Sequence, residues 1–163
     1  MIELKAYKGH IRNWKALCAE LQVDIDQEAK NREREIIVKG YERWGEEVVN
    51  HLIGMFSFAI VDGDKIYCAR DHFGTKPFYY YVTEENDLLF GNQIRKIMKQ
   101  DGFEKVFNHD MLQLYLNFTY CPGEDTMFKG VKKLLPGRYL VFENGKATIT
   151  RYFKPEFHPE EGK

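Results

Sequence analysis

The chain has 163 residues, about one domain's worth, of which 44% are hydrophobic, 30% charged and 15% aromatic. That composition excludes a disordered, collagen-like or low-complexity chain. Lys and Arg number 24 against 25 Asp and Glu, a net charge of -1, so the basic excess of a dedicated nucleic-acid binder is missing. The longest strongly apolar stretch, Met55 to Val61, is far too short to span a bilayer. The N-terminus has neither the apolar region of a signal peptide nor an acylation motif. Cys18, Cys68 and Cys121 are widely spaced and form no CxxC, which suits a reducing cytosol. The expectation is a soluble, cytoplasmic α/β domain with no nucleic-acid or membrane partner.

From the N-terminus, Ile2, Leu4 and Ala6 alternate with Glu3, Lys5 and Tyr7, the period of a half-buried strand over Ile2 to Tyr7. A loop, Lys8-Gly9-His10, leads to a helix capped by Asn13 whose apolar face is Trp14, Leu17, Cys18 and Leu21. A polar stretch from Asp24 to Arg32 precedes a second helix with Ile37, Gly40, Tyr41 and Trp44 on one face and Gly45 to end it. A short helical turn follows over Glu46 to Leu52. GMFSFAIVD then reads as a strand, Asp62-Gly63 as a hairpin turn, and Lys65 to Arg70 as its second strand. After the loop DHFGTK, strands are predicted at Pro77 to Val82 and Leu88 to Gly91, around the polar turn TEEND. Helices are predicted over Gln93 to Lys99 and Asp110 to Phe118, the second capped by Asn108 and burying Leu112, Tyr115 and Leu116. A long loop runs from Thr119 to Gly137. A last hairpin, Tyr139 to Phe142 and Ala147 to Phe153, turns at Asn144-Gly145, a type I′ pair. Residues 154–163 read as a linker or frayed tail. Helices at both ends with hairpin-type strands between them suggest sheets covered by helices, and the lack of βαβ alternation argues against a Rossmann fold.

Pattern alone yields little chemistry. There is no GxxxxGK[ST], GxGxxG or GxSxG. The five histidines have no ligand spacing, so no metal site and no cofactor are expected. Longer strings say more. GMFSFAIVDGDKIYCARDHFGTKPFYYY resembles the core of the glutamine-hydrolysing domain of asparagine synthetases, a class II glutamine amidotransferase domain of Ntn-hydrolase type. AYKGHIRNWKALCAEL is similar to that family's YNGEIYNxxELRxEL segment, REREIIVKGYERWG to its SDTEVILxLYxxWG, and LLFGNQIRKI to its LxFASEIKAL. YCPGEDTMFKGVKKLLPGRYLVFENG resembles its YxPxPxTxFxGIxKLPPGxxL. The resemblance covers residues 1–153 and implies an α+β fold, an αββα sandwich of two antiparallel sheets between helix layers, here lacking the N-terminal strands.

The departures bear on activity. The family's nucleophile is a cysteine directly after the initiator methionine, with its own α-amino group as general base. Residue 2 is Ile2, and no cysteine precedes Cys18. The resemblance implies that the strands carrying that cysteine and a carboxylate-binding arginine have no counterpart, so no catalytic residue is assigned. Its NGE, an oxyanion-hole asparagine and a glutamate facing the glutamine ammonium, corresponds to Lys8, Gly9 and His10. Lys8 would donate from a flexible stem, and His10 removes a carboxylate. The second ammonium ligand, the aspartate of SDTE, aligns with Glu33, and the glutamate of ASEIK with Gln93.

Other residues have structural readings. Cys18 and Cys68 are core thiols, Cys121 is a loop thiol without a base nearby, and His72 is a surface histidine. Arg70 and Asp71 hold their loop by hydrogen bonds and an ion pair, with ammonia transfer or the docking of a synthetase domain as their functional alternative. The aromatic run Phe78 to Tyr81 is sheet packing, and Lys132-Lys133 a solvated pair. The chain has no SGGxDS phosphate loop, so nothing adenylates a carboxylate. The implied function is that of an asparagine-synthetase-type glutaminase domain, inactive as this chain. The alternatives are a degenerate binding module for a synthetase, or a new site built from Lys8, His10 and Glu33. Expected partners are an ATP-pyrophosphatase synthetase domain or the missing N-terminal segment, and the chain itself as a homo-oligomer through Ile2 to Tyr7.

Overall fold

The computed structural model describes residues 1–24 and 31–156. In chain order the elements are β1 (Ile2–Ile11), α1 (Trp14–Leu21), α2 (Arg32–Trp44), α3 (Val48–His51), β2 (Gly54–Asp62), β3 (Lys65–Arg70) and β4 (Tyr79–Val82). They continue with β5 (Leu88–Gly91), α4 (Ile94–Ile97), α5 (His109–Phe118), β6 (Lys132–Lys133), β7 (Arg138–Glu143) and β8 (Lys146–Arg151). One antiparallel sheet has the order β1-β2-β3-β7-β8 and the other β5-β4-β6.

The layers follow from which way alternate residues point. Phe56, Phe58 and Ile60 of β2, with Tyr67 and Ala69 of β3, pack against Leu17 of α1 and Ile36, Ile37 and Tyr41 of α2. Between them, Ala59 and Cys68 face the other way, where they meet Phe78, Tyr80 of β4, Leu88 of β5 and Leu140 and Phe142 of β7. On the far face of the small sheet, Tyr81 and Leu89 pack with Ile97 of α4 and Val131. The arrangement is helix, sheet, sheet, helix. Central strands buried on both faces show no polar alternation, which is why GMFSFAIVD reads as one apolar run. The aromatic run Phe78 to Tyr81 is sheet packing, as expected. No helix among the described residues is long and apolar enough to cross a membrane.

Turn chemistry behaves as the sequence indicates. Gly45 ends α2 at φ 58. Asn144 and Gly145 take φ 51 and 72, the left-handed pair a type I′ turn requires.

Several expectations are corrected. β1 continues through Lys8, Gly9 and His10 to Ile11, so these residues are strand and not loop. Asn13 and Asn108 precede their helices without capping them. The Asn13 side chain donates to His51 O at 2.8 Å and accepts from Ile53 N at 3.0 Å, tying the start of α1 to the end of α3. That of Asn108 donates to Thr126 O at 3.2 Å. The helix after β5 shortens to Ile94–Ile97, β4 starts at Tyr79, and β8 ends at Arg151. The loop from Thr119 to Gly137 contains β6, which pairs with β4. In α5 only Met111 is buried; Tyr115 and Leu116 are exposed, together with Phe118. None of the three joins a core cluster, and the far face of the small sheet is covered by Ile94, Ile97, Phe103 and Phe128. Part of the Asp24 to Arg32 stretch and most of the tail, residues 157–163, lie outside the described residues.

Cys68 is fully buried between the sheets, and burial pushes its thiol far above its ordinary range. Because the thiolate is the reactive form, Cys68 should resist iodoacetamide in the native protein at mildly alkaline pH and react once urea unfolds it. Peptide mass spectrometry reads this, and labelling of native Cys68 as fast as Cys121 contradicts the packing described.

Candidate functional site

β1 does not keep one alternation along its length. Ile2 and Leu4 face the helix-side core from even positions, and Ile11 reaches the same core from an odd one. Since strand faces alternate strictly, one extra residue must intervene. The register with β2 shifts between Lys5 and Lys8, and Ala6 sits there at φ 49. The bulge turns Tyr7 inward to the helix-side cluster, while Ala6 packs with the inter-sheet one.

Past the bulge the two strands come unusually close. A Cβ on Gly9 would lie 2.1 Å from Met55 O, and one on Gly54 2.2 Å from His10 O. The two glycines face each other's backbones, and neither position has room for a side chain.

The N-terminal turn of α2 supplies Glu33, which lies against this part of β1. Its Oε2 accepts a short hydrogen bond from the Tyr7 hydroxyl, and its Oε1 lies 2.7 Å from His10 Nδ1. Glu33 is mostly buried, with 13% of its side chain exposed, while the His10 side chain is 54% exposed. Burial first, and then the Glu33 carboxylate, push the Tyr7 phenol well above its ordinary range, so it remains a donor. Arg34 of α2 donates to Leu4 O at 2.9 Å and lies over the Tyr7 ring, fixing helix to strand. Two of the residues singled out by the sequence, His10 and Glu33, therefore meet directly. Lys8 is exposed, and no hydrogen bond or ion pair of its ammonium occurs among the described residues. Gly9 has the structural role just given.

Chemically, the carboxylate accepts from both a phenol and an imidazole, one on each oxygen. With the proton on Nδ1, His10 keeps Nε2 as an acceptor, the arrangement that orients an imidazole base. No thiol belongs to this cluster: Cys18 packs into the helix-side core, Cys68 lies between the sheets, and Cys121 lines a cavity with Tyr79 and Met127. Tyr7 was missed by the alternation of β1. The signal that could have found it is the change of parity between Leu4 and Ile11.

Arg70 and Asp71 form the second constellation. The Asp71 carboxylate, 1% exposed, accepts from Phe56 N, Phe73 N, Thr75 N, Lys76 N and Thr75 Oγ1 at 2.8–3.2 Å. Arg70 donates to the carbonyls of Lys76, Leu134 and Gly74 at 2.6–2.8 Å. The expected hydrogen bonds are present, but the expected Arg70–Asp71 ion pair is not among those of the described residues. The two side chains reach for different backbone groups. His72 is not a free surface histidine. It packs edge-on against Tyr152 and Phe153, and burial lowers its pKa. The two lysines of β6 are not a solvated pair either. Lys132 Nζ lies 2.7 Å from Glu124, and Lys133 Nζ donates to Cys121 O.

A family model for a glutamine amidotransferase domain matches residues 3–153. Asparagine synthetase [glutamine-hydrolyzing] 3 of Bacillus subtilis is 31% identical over 154 residues, covering 92% of this chain and 25% of the relative. Asparagine synthetase [glutamine-hydrolyzing] 1 of the same organism is 31% identical over 156 residues, covering 94% of this chain and 24% of the relative. The chain thus spans about a quarter of the length of these curated relatives. Among solved structures, the glutamine phosphoribosylpyrophosphate amidotransferase of B. subtilis superposes with TM-score 0.60 at 15% identity, covering 94% of this chain and 30% of that one. At that identity the likeness concerns the fold alone.

Asp71→Asn keeps the shape of the side chain and removes the charge that its donors share. Loss of charge-assisted, buried hydrogen bonds should lower unfolding stability by about 2–4 kcal/mol. Lys132→Met, which breaks only a partly exposed pair, should cost less than about 1 kcal/mol. Urea denaturation followed by circular dichroism measures both, and equal effects would contradict the burial ranking.

Proposed function

The chain belongs to the glutamine amidotransferase domain family, in the class II form of the asparagine synthetases, and we propose that it serves as a glutaminase-type module that does not hydrolyse glutamine by itself. The observation that carries this reading is the engagement of Glu33. Each of its oxygens already accepts from Tyr7 or His10, so a substrate ammonium would have to compete there with donors of the chain itself. His10 adds a group that is neutral or cationic where the family has an anion. The cluster holds no thiol to carry the thioester that a cysteine nucleophile would form.

The module's partner on this reading is a synthetase domain, which the chain would meet through the loop that Arg70 and Asp71 organise. Supporting that assignment, the loop holds Phe73 outward at 72% exposure. The exposed apolar side chains Tyr115, Leu116 and Phe118 of α5 favour the second reading, a binding module that has no catalytic step. Three unpaired cysteines fit a reducing, cytoplasmic setting.

Incubated with excess glutamine, the purified chain should release ammonia no faster than buffer. Turnover that survives repurification and disappears on Cys18→Ala or Cys121→Ala would overturn the proposal.

Self-association is a further part of the reading, supported by the place of β1 at the edge of the five-stranded sheet. Edge strands template strand addition by a second copy. Light scattering should give twice the 19.3 kDa chain mass or more. A persistent monomer at micromolar concentration would remove this part of the reading and leave the rest intact.

A further inference from the structure

We propose that the cavity lined by Tyr79, Ile94, Tyr120, Met127, Phe128 and Lys133 binds a small-molecule carboxylate with an apolar body, its carboxylate on Lys133 Nζ. The cavity measures about 410 Å³, within the roughly 300–1,000 Å³ of small-molecule sites. It lies on the far side of the small sheet, away from the Glu33 cluster, and does not depend on the reading given for that cluster.

The ligand class follows from the imbalance of the lining. The two lysines of β6 are adjacent in sequence and opposite in environment. Lys132 has a carboxylate partner, Glu124, at 2.7 Å. Lys133 has none: its one side-chain hydrogen bond among the described residues goes to the neutral carbonyl of Cys121. Arg70, whose charge acts on Lys133, also donates to carbonyls, those of Lys76, Leu134 and Gly74. Lys133 thus stands in the lining of an apolar cavity with no ion pair among the described residues. Burial, chiefly, lowers the pKa of Lys133. Arg70 adds to this, while Cys121 and Asp125 act in the opposite sense. A partly desolvated ammonium facing an apolar cavity gains most from an anion that brings its own apolar surface.

Aromatic and thioether side chains on the remaining walls suit a flat or flexible hydrocarbon body. A phosphate or a free polar amino acid would leave those walls wet. A neutral analogue would leave the ammonium unpaired. The carboxylate needs no covalent step, and the thiol of Cys121 has no part in the binding.

The test uses the whole 163-residue chain with phenylacetate and its neutral isostere phenylacetamide, titrated by calorimetry and by methyl shifts of Met127 and Ile94. Phenylacetate should bind saturably and roughly tenfold or more tighter than the amide, the discrimination expected of one charge-assisted hydrogen bond. Both methyl signals should move. Lys133→Met should abolish that preference, and Lys132→Met should leave it unchanged. Equal affinity for acid and amide, or methyl shifts elsewhere, would overturn the assignment. So would phenylacetate binding undiminished by Lys133→Met. If that variant fails to fold, the acid–amide comparison on the native chain decides by itself.

Discussion

A carboxylate sealed from water must be given donors, and Asp71 receives five, from Phe56, Phe73, Thr75 twice and Lys76. One of these belongs to β2 and the rest to the loop after β3, so a single side chain fastens the loop to the centre of the large sheet. Its backbone takes part as well: Asp71 N donates to Phe56 O, and Asp71 O accepts from Gly74 and from Gly137 at the start of β7. Arg70 extends the same knot to Leu134, and Tyr152 closes it by donating to Arg70 O. The stacking of the two sheets follows, because Phe78 and Leu134, which enter the inter-sheet core, leave this knot in fixed directions. Buried polar groups of this kind are costly when half satisfied and rigid when complete. The resemblance block around RDHFGTKP is therefore explained by architecture before any docking role is invoked.

The Glu33 cluster depends on a different constraint, the close approach of β1 and β2. Two glycines without side chains let the strands pass within a distance that any Cβ would forbid. Next to them the extra residue at Ala6 rotates Tyr7 under α2. The phenol and imidazole that meet Glu33 are thus placed by backbone irregularity. An ammonium approaching Glu33 would have to compete with the phenol and imidazole already bonded to it. The same geometry that stabilises the helix–strand contact gives Glu33 donors from within the chain.

Charge is handled unevenly across the molecule. Lys65 and Lys132 each pair with a glutamate, Glu46 and Glu124 respectively. Arg70 and Lys133, equally half-buried, donate instead to backbone carbonyls among the described residues.

Much was legible in the sequence because it is written locally. The apolar run through Phe56–Ile60, the turn pairs Asp62-Gly63 and Asn144-Gly145, and the stop at Gly45 each depend on neighbours a few residues away. Those elements fall where their residues predict them. The fold class was legible too, through motifs that cover nearly the whole chain. Contacts across long separations were not. Nothing near Tyr7 states that its hydroxyl will reach Glu33, a separation of 26 residues, since a period-2 reading places it on the opposite face. The apolar spacing in α5 cannot reveal that Ile94, Ile97 and Phe128 cover the far face of the small sheet. Likewise, two adjacent lysines look alike until β6 pairs with β4 and turns one toward Glu124 and the other into a cavity. Local periodicity and turn chemistry set the elements. Only the packing of those elements, where each buried polar group must find a partner and each face a cover, decided what the side chains do.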